Sequence, residues 1–242
     1  MGRKATVVAG VAAVSWGAAT WSAAHRLGRT YGSTPSERAT SLPGDDIIAR
    51  PTAVTDHAIT VHAGPEQIWP WLVQMGWGRA GWYTARWVDR LLFPANGPSA
   101  DRIVPELQHI EVGTFIPDGP PESKCGLIVE HLEKERALVL HSTTHLPLSW
   151  RSFASADWSW AFVLTPAADG TTRFHFRSRW VTAPWWLTLT SDLAVVPADF
   201  VMSRDMLRGV KERAERQATE LGAAWIAAAD QAEGARLTTS RP

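Results

Sequence analysis

Two neighbouring segments most constrain the fold. Asp157 to Thr165 alternates, with Trp158, Trp160, Phe162 and Leu164 on one face. After the turn residues Ala168-Asp169-Gly170, Thr171 to Thr182 alternates again. It sets Phe174, Phe176, Ser178 and Trp180 against Arg173, His175, Arg177 and Arg179. A period of two predicts β-strands whose successive side chains point to opposite faces, and the short turn predicts a hairpin. A sheet with one aromatic face needs a cover. The long amphipathic element available is Pro197 to about Leu221, a helix with Phe200, Ser203, Leu207, Val210 and Ala214 along one seam and Met202, Met206 and Gly209 beside it. Lys211/Glu215 and Glu212/Arg216 are spaced as ion pairs on its outer side, where Arg213 is also expected to face solvent. The expected class is α+β, a curved antiparallel sheet wrapped around a long C-terminal helix.

Upstream, the domain is expected to begin near Asp56, with a strand over His57 to Ala63. Gly64-Pro65 starts a helix with Ile68, Trp71, Leu72 and Met75 on its buried side. Pro70 predicts a kink or two short helices. Ile110 to Ile116 reads as a strand closed by Pro117-Asp118-Gly119-Pro120. Gly126 to Leu132 and Ala137 to Ser142 read as a hairpin around Glu133-Lys134-Glu135-Arg136.

Five of the 14 tryptophans, Trp69, Trp71, Trp77, Trp82 and Trp87, fall between Pro65 and Pro105, with Tyr83 and Phe93 among them. Such density suits one flank of a core or a lid over a pocket. The lid reading places a hinge at Gly76, Gly78 and Gly81 and lets Gly76 to Arg102 move. Gly76 to Gly81 also matches G-x-G-x-x-G, but it follows a helix rather than a strand, so no nucleotide cofactor is expected.

The chain has 242 residues, 24 basic and 24 acidic, and no net charge, which argues against a nucleic-acid partner. One cysteine, Cys125, excludes an internal disulfide framework. Ala5 to Ala24 carries no charged side chain and is flanked by Arg3, Lys4, His25, Arg26 and Arg29. At about 1.5 Å per helical residue it covers about 30 Å, one bilayer core. It reads as a membrane anchor of undetermined orientation. The rivals are a signal peptide cleaved near Ser22-Ala23-Ala24, or a packed helix. Tyr31 to Asp56 reads as a linker, with capping-box spacing at Thr34-Pro35-Ser36-Glu37 and a turn at Leu42-Pro43-Gly44-Asp45.

Several runs together carry a resemblance: Leu42-Pro43-Gly44-Asp45-Asp46, the stretch from Ile59 through Trp71-Leu72-Val73-Gln74-Met75-Gly76, Gly81-Trp82-Tyr83, Ser99 to Gln108, and Val112-Gly113. The sequence resembles the START-like or SRPBCC superfamily, and within it the actinobacterial polyketide cyclase/dehydrase-like branch, over about Leu42 to Ala218. The resemblance implies a helix-grip fold with a Trp-rich helical insertion after the first strand. It also implies a cavity between sheet and helix that takes apolar ligands. The organisation expected is an anchor or signal segment over 1–29, a linker over 30–56, the helix-grip domain over 57–222 and a polar tail over 223–242.

On this reading the protein is membrane-associated and binds a hydrophobic small molecule without transforming it. Trp77, Trp82, Tyr83, Trp87, Trp158, Trp160, Phe174, Phe176, Trp180 and Met206 are the candidate ligand-binding residues. The rings on the two strands suit a plain core as well. His62, Asp101, Arg102, His131 and His141 are the candidate polar pocket residues. Asp101 and Arg102 serve either to pin the insertion or to place a carboxylate at the pocket mouth. The Arg173 to Arg179 stripe is read as a solvated convex face, or as a contact for anionic lipid. The eight histidines lack metal-ligand spacing, so no metal, no cofactor and no catalytic residue is assigned. The alternatives are a cyclase/dehydratase-like enzyme and a protein-interaction module using exposed tryptophans.

Overall fold

In the computed structural model the described residues are 16, 20–23, 25–92, 94, 95 and 97–239, with side chains described to 224 except that of residue 92. Most of the expected anchor, Ala5 to Ala24, lies outside them, as does Phe93. Among the described residues no helix is long and apolar enough to cross a membrane.

The alternating segments form β5 (Ser155–Pro166) and β6 (Thr172–Ala183), paired antiparallel from Ser155 opposite Ala183 to Pro166 opposite Thr172. The other strands are β1 (Ala53–Val61), β2 (Phe115–Pro117), β3 (Gly126–Glu133) and β4 (Ala137–Ser142). They make a six-stranded sheet in the order β1-β6-β5-β4-β3-β2. Every pairing is antiparallel, and a bulge lies between Val129 and His131. β2 is shorter than the expected Ile110–Ile116. A turn closed by Thr114 N–H on the Glu111 carbonyl, with Gly113 at φ +92°, interrupts the extended run.

The concave face carries Phe162, Phe174 and Phe176, all buried, with Phe162 and Phe176 stacked at 4.9 Å. Leu207, Val210 and Ala214 of the long helix join the same core. That helix runs Val196–Thr239, well past the expected end near Leu221. Alanine-rich sequence after Gly222 favours its continuation. This is the helix-grip arrangement. The upstream helix is α2 (Pro65–Val73), counting the short α1 (Pro35–Ala39) first. It stays one helix, with Pro70 inside it and Trp69 buried along with the expected stripe.

The segment expected to be a linker is instead a strap bound to the convex face, and β1 starts three residues before Asp56. Its helix α1 has the capping box its spacing predicts, with Glu37 N–H bonded to Thr34 Oγ1 (3.2 Å) and Thr34 N–H to Glu37 Oε2 (2.7 Å). Gly44, at φ +85°, passes so close to β4 that an added Cβ would lie 2.5 Å from Val139 Cγ1.

The basic stripe is what holds the strap, so it is not solvated. Arg177 is only 3% exposed. Its Nε donates to Asp56 Oδ1 (2.8 Å) and its Nη1 to Asp45 Oδ2 (2.7 Å). It also donates to the carbonyls of Thr40 (3.0 Å), Arg38 (3.1 Å) and Glu37 (3.3 Å). Those carbonyls end α1, where a helix leaves acceptors unpaired and favours a cation. Arg179 shares Asp45 (3.1 Å), and His175 Nε2 lies 2.8 Å from Asp56 Oδ1. Arg173 binds both Glu37 oxygens, at 2.6 and 3.0 Å. Sequence alternation assigns these side chains to the face away from the core, and it says nothing of a second layer over that face.

Removing one partner from a buried, hydrogen-bonded charge cluster leaves the others desolvated and unpaired. Arg177→Ala is expected to cost about 3–5 kcal/mol in urea unfolding, and Arg177→Lys not to restore the loss, because one ammonium cannot reproduce the planar fork. Arg173→Ala, at a more exposed pair, should cost about 1 kcal/mol.

Hydrogen bonds from Arg173, then from Thr34, hold the Glu37 carboxyl at about 2, well below the usual carboxylate range. A carboxylate depressed in the folded state stabilises above its unfolded value of about 4.5, and that contribution is lost as pH falls toward 2. Urea midpoints measured from pH 7 to 2.5 should therefore fall less steeply below pH 4.5 in Glu37→Gln than in the parent, with the variant weaker at pH 7.

Candidate functional site

The insertion after β1 is built into the core at its glycine end. Gly76 and Gly81 exchange backbone hydrogen bonds (3.2 and 3.1 Å), closing a tight loop at positive φ. Inside it, Arg79 donates to the carbonyls of Met75 and Val73 (both 2.9 Å), capping the end of α2. Trp82 and Tyr83 then enter the core, 3% and 2% exposed. Tyr83 donates to the Trp71 carbonyl (3.0 Å) and accepts from Gln74 Nε2 (2.9 Å). Gln74 also accepts from Val104 N–H (2.9 Å), which ties the far end of the insertion to the same side chain.

The long helix meets this insertion directly. An added Cβ on Gly209 would lie 2.1 Å from the Tyr83 carbonyl oxygen. Arg213 lies over the Tyr83 ring (4.8 Å) and donates to the Ala100 carbonyl (2.8 Å) and to Asp101 Oδ1 (2.9 Å). Arg213 is therefore a mostly buried clasp rather than a solvent-facing residue. The hinge expected at the three glycines is a pinned loop, because Trp82 and Tyr83 immediately after it are wedged in the core.

The candidate ligand-binding residues separate into groups. Trp82 meets Trp160 edge to face at 5.3 Å, and Trp160 meets Phe176 at 6.0 Å. Phe174 and Met206 are buried in the same core. Trp158 stacks on Trp180 at 4.7 Å and donates to Ser178 Oγ (2.6 Å), in a second cluster with Ala53 and Val196. Trp77 is half-buried, its backbone N–H on the Pro117 carbonyl (2.8 Å). Trp87, on the helix Arg86–Leu92, is 57% exposed and stands apart from these rings.

The polar candidates do not converge. His62, His131, Asp101 and Arg102 are exposed. His141 alternates with the inward Leu140 and pairs on the convex side with Asp157 (2.6 Å) and Glu130 (3.5 Å). Strand position made the three histidines candidates, but the bulge turns His131 and strand phase turns His141 away from the concave face, and His62 lies just past the end of β1.

A different polar group lies beside the rings. His145, in the loop after β4, has Nε2 2.9 Å from Asp118 Oδ2, just past β2. Its ring lies 5.6 Å from Trp158 and 6.0 Å from Trp160. Among the described residues, the buried side-chain atoms without a hydrogen-bond partner are His145 Nδ1, Asp118 Oδ1, Trp160 Nε1, Trp82 Nε1 and His57 Nδ1. The first four belong to this one place. A buried polar atom left unpaired costs about 1–3 kcal/mol, so their concentration here makes this place the candidate site.

Sequence reading missed Asp118, His145 and their neighbour Cys125. Asp118 sat in a turn signal; it and Cys125 are the two ends of the β2–β3 connection, and that connection meets the loop carrying His145 only because β2, β3 and β4 pair. The ligand atoms of Asp118, Cys125 and His145 all lie within 4.8 Å of one another, a donor set of the kind zinc takes. Burial, then the Asp118 charge, pushes the Cys125 thiol up to about 11. Arg151, bound to the carbonyls of Thr144 and Leu146, adds a positive charge near that thiol. A metal held here would have to displace the thiol proton, as metal-ligating cysteines do, against the nearby Arg151 charge.

No family model and no curated protein matches the sequence. Its likeness to solved structures is distant. A hypothetical protein from Helicobacter pylori is 11% identical, with a TM-score of 0.43 over 73% of this chain and 96% of that one. A protein from Mesorhizobium loti is 14% identical, with a TM-score of 0.38 over 68% and 98%. Norcoclaurine synthase from Thalictrum flavum, solved with dopamine and hydroxybenzaldehyde, is 13% identical, with a TM-score of 0.37 over 66% and 87%. The helix-grip assignment stands on this chain's own strand order and gripped helix.

Proposed function

We propose that the protein binds an amphipathic small molecule, of lipid or polyketide-like chemistry, at the end of the concave face lined by Trp82, Trp158, Trp160 and His145. The observation that carries this reading is the set of unpartnered buried atoms. Two indole N–H groups in adjoining rings, beside an imidazole nitrogen, offer hydrogen bonds to a carbonyl or hydroxyl oxygen. The rings supply apolar surface for the rest of the ligand, at about 25 cal/mol per Å² buried. Trp82 and Trp160 border the same packed core as Phe162, Phe174 and Leu207, so the ligand is placed at its His145 edge. The uncharged run before residue 25 supports a tether that holds this domain at a membrane, where such ligands partition.

One observation favours a second reading, a cyclase/dehydratase-like enzyme. Asp118 orients the His145 imidazole through Nε2 and leaves Nδ1 buried beside Trp160. A carboxylate-oriented imidazole facing an apolar site is the arrangement of a general acid or base.

The test is a fluorescence titration with fatty acids, sterols and aromatic polyketides on the parent, Trp82→Phe, Trp160→Phe and His145→Gln. Each Trp→Phe change keeps a ring and removes one donor. Loss of one hydrogen bond should weaken binding about 5- to 10-fold. The binding reading fails if no probe binds, or if both Phe variants bind like the parent. Mass spectrometry of the recovered ligand separates the two readings: a product formed by the parent and absent with His145→Gln, at retained affinity, identifies an enzyme.

A further inference from the structure

The loop after β4 carries His145 near one end and Leu148, Trp150 and Phe153 toward the other. These three apolar side chains are exposed. Trp150 contacts Phe153 at 6.2 Å and Trp186 at 5.9 Å, which joins the loop to the helix Trp185–Thr190 beyond β6. That helix exposes Trp185 (76%) and Leu189, and the π-helical turn after it, Ser191–Val195, exposes Leu193. Surfaces of soluble domains carry such side chains singly, and six of them on two elements joined by the Trp150–Trp186 contact point to an interaction surface. Its composition is that of a lipid interface, where tryptophan places its apolar body in hydrocarbon and its N–H at the head groups.

The direction of the chain identifies the occupant. Asp192, within the same π-helical turn, forms an ion pair with Arg29, and its backbone carbonyl lies 3.0 Å from His25 Nε2. Helical residues 25–30 are thereby fixed beside the apolar group, and Leu27 adds to the exposed apolar surface. Immediately before them comes the run Ala5 to Ala24, which contains no charged side chain. Arg26 and, at the start of the segment leading into β1, Arg50 are exposed at the same end of the sheet, suitably placed for anionic head groups.

We propose that this end of the sheet, formed by Leu148, Trp150, Phe153, Trp185, Leu189 and Leu193, lies in the surface of a lipid bilayer. The inference rests on the tethered-binding reading above and adds to it the face that meets the membrane. The same loop holds His145, so the proposed ligand site and the proposed membrane face share one connection and lie at the same end of the sheet. The opposite end of the sheet, the turn between β5 and β6, is 12 strand residues away, about 40 Å at about 3.3 Å per residue.

The test uses the full chain with Cys125→Ser, reconstituted in vesicles of equal phosphatidylcholine and phosphatidylglycerol. Nitroxide labels are placed by Phe153→Cys, Leu189→Cys and, as the distant control, Ala168→Cys. Oxygen, which concentrates in lipid, should relax the labels at 153 and 189 several-fold more than a water-soluble nickel chelate does, and the label at 168 should show the reverse. Protein that stays with the vesicles while 153 and 189 respond like 168 overturns the proposed face and leaves the tether standing. Protein that does not associate with vesicles overturns both the tether and this face. Labels at 153 and 189 shielded from both reagents, in vesicles and detergent alike, overturn it in favour of a protein cover, another copy or the chain's own uncharged run.

Discussion

The Arg177 guanidinium is the charge around which the convex half of the domain is assembled. Its burial requires acceptors, and they come from three separated parts of the chain: Asp56 on β1, Asp45 in the turn of the strap, and the carbonyls that end α1. None of these is useful alone. The carboxylates neutralise the charge, and the carbonyls use the donors that carboxylates do not reach. The strap therefore docks in one register. The turn at Leu42-Pro43-Gly44-Asp45 has a physical explanation in this: Gly44 lets the backbone approach Val139, and that approach brings the Asp45 carboxylate to Arg177 and Arg179.

A second clasp organises the concave half. Gly209 brings the long helix against the Tyr83 backbone, and Arg213 covers the ring and reaches across to Ala100 and Asp101. With Gln74 holding both ends of the insertion, movement near the glycines would break several buried hydrogen bonds together. Any opening of the domain is thereby confined to places away from Tyr83. The His145 loop lies beside the unpaired atoms of Asp118 and Trp160 and carries apolar side chains that face outward.

On the function proposed above, this loop would connect binding to location. A ligand apolar enough to lie against Trp160 and Trp82 dissolves poorly in water, and a bilayer beside the site would supply it directly. The unpaired indole donors would select for an oxygen on such a ligand, since an entirely apolar molecule leaves them unsatisfied.

Much of the architecture was legible in one dimension. Strand alternation showed which side of β5 and β6 is core, the seam through Leu207 and Val210 showed how the helix covers it, and Thr34 to Glu37 showed a capped helix. Each is a property of neighbours in sequence, set by the periods of strand and helix. The convex face was misread because alternation separates two faces and carries no information about what covers the second. The site was missed for a related reason. Asp118 and Cys125 lie in one loop and His145 in another, with no shared period, and Trp82 and Trp160 are 78 residues apart, so only strand pairing and the pinned insertion bring them together. Patterning decided which face of the sheet is the apolar core. Tertiary structure decided what covers the other face, which charges neutralise one another and which polar atoms are left unpaired, because electrostatic and hydrogen-bond partners are chosen by distance in space and not along the chain.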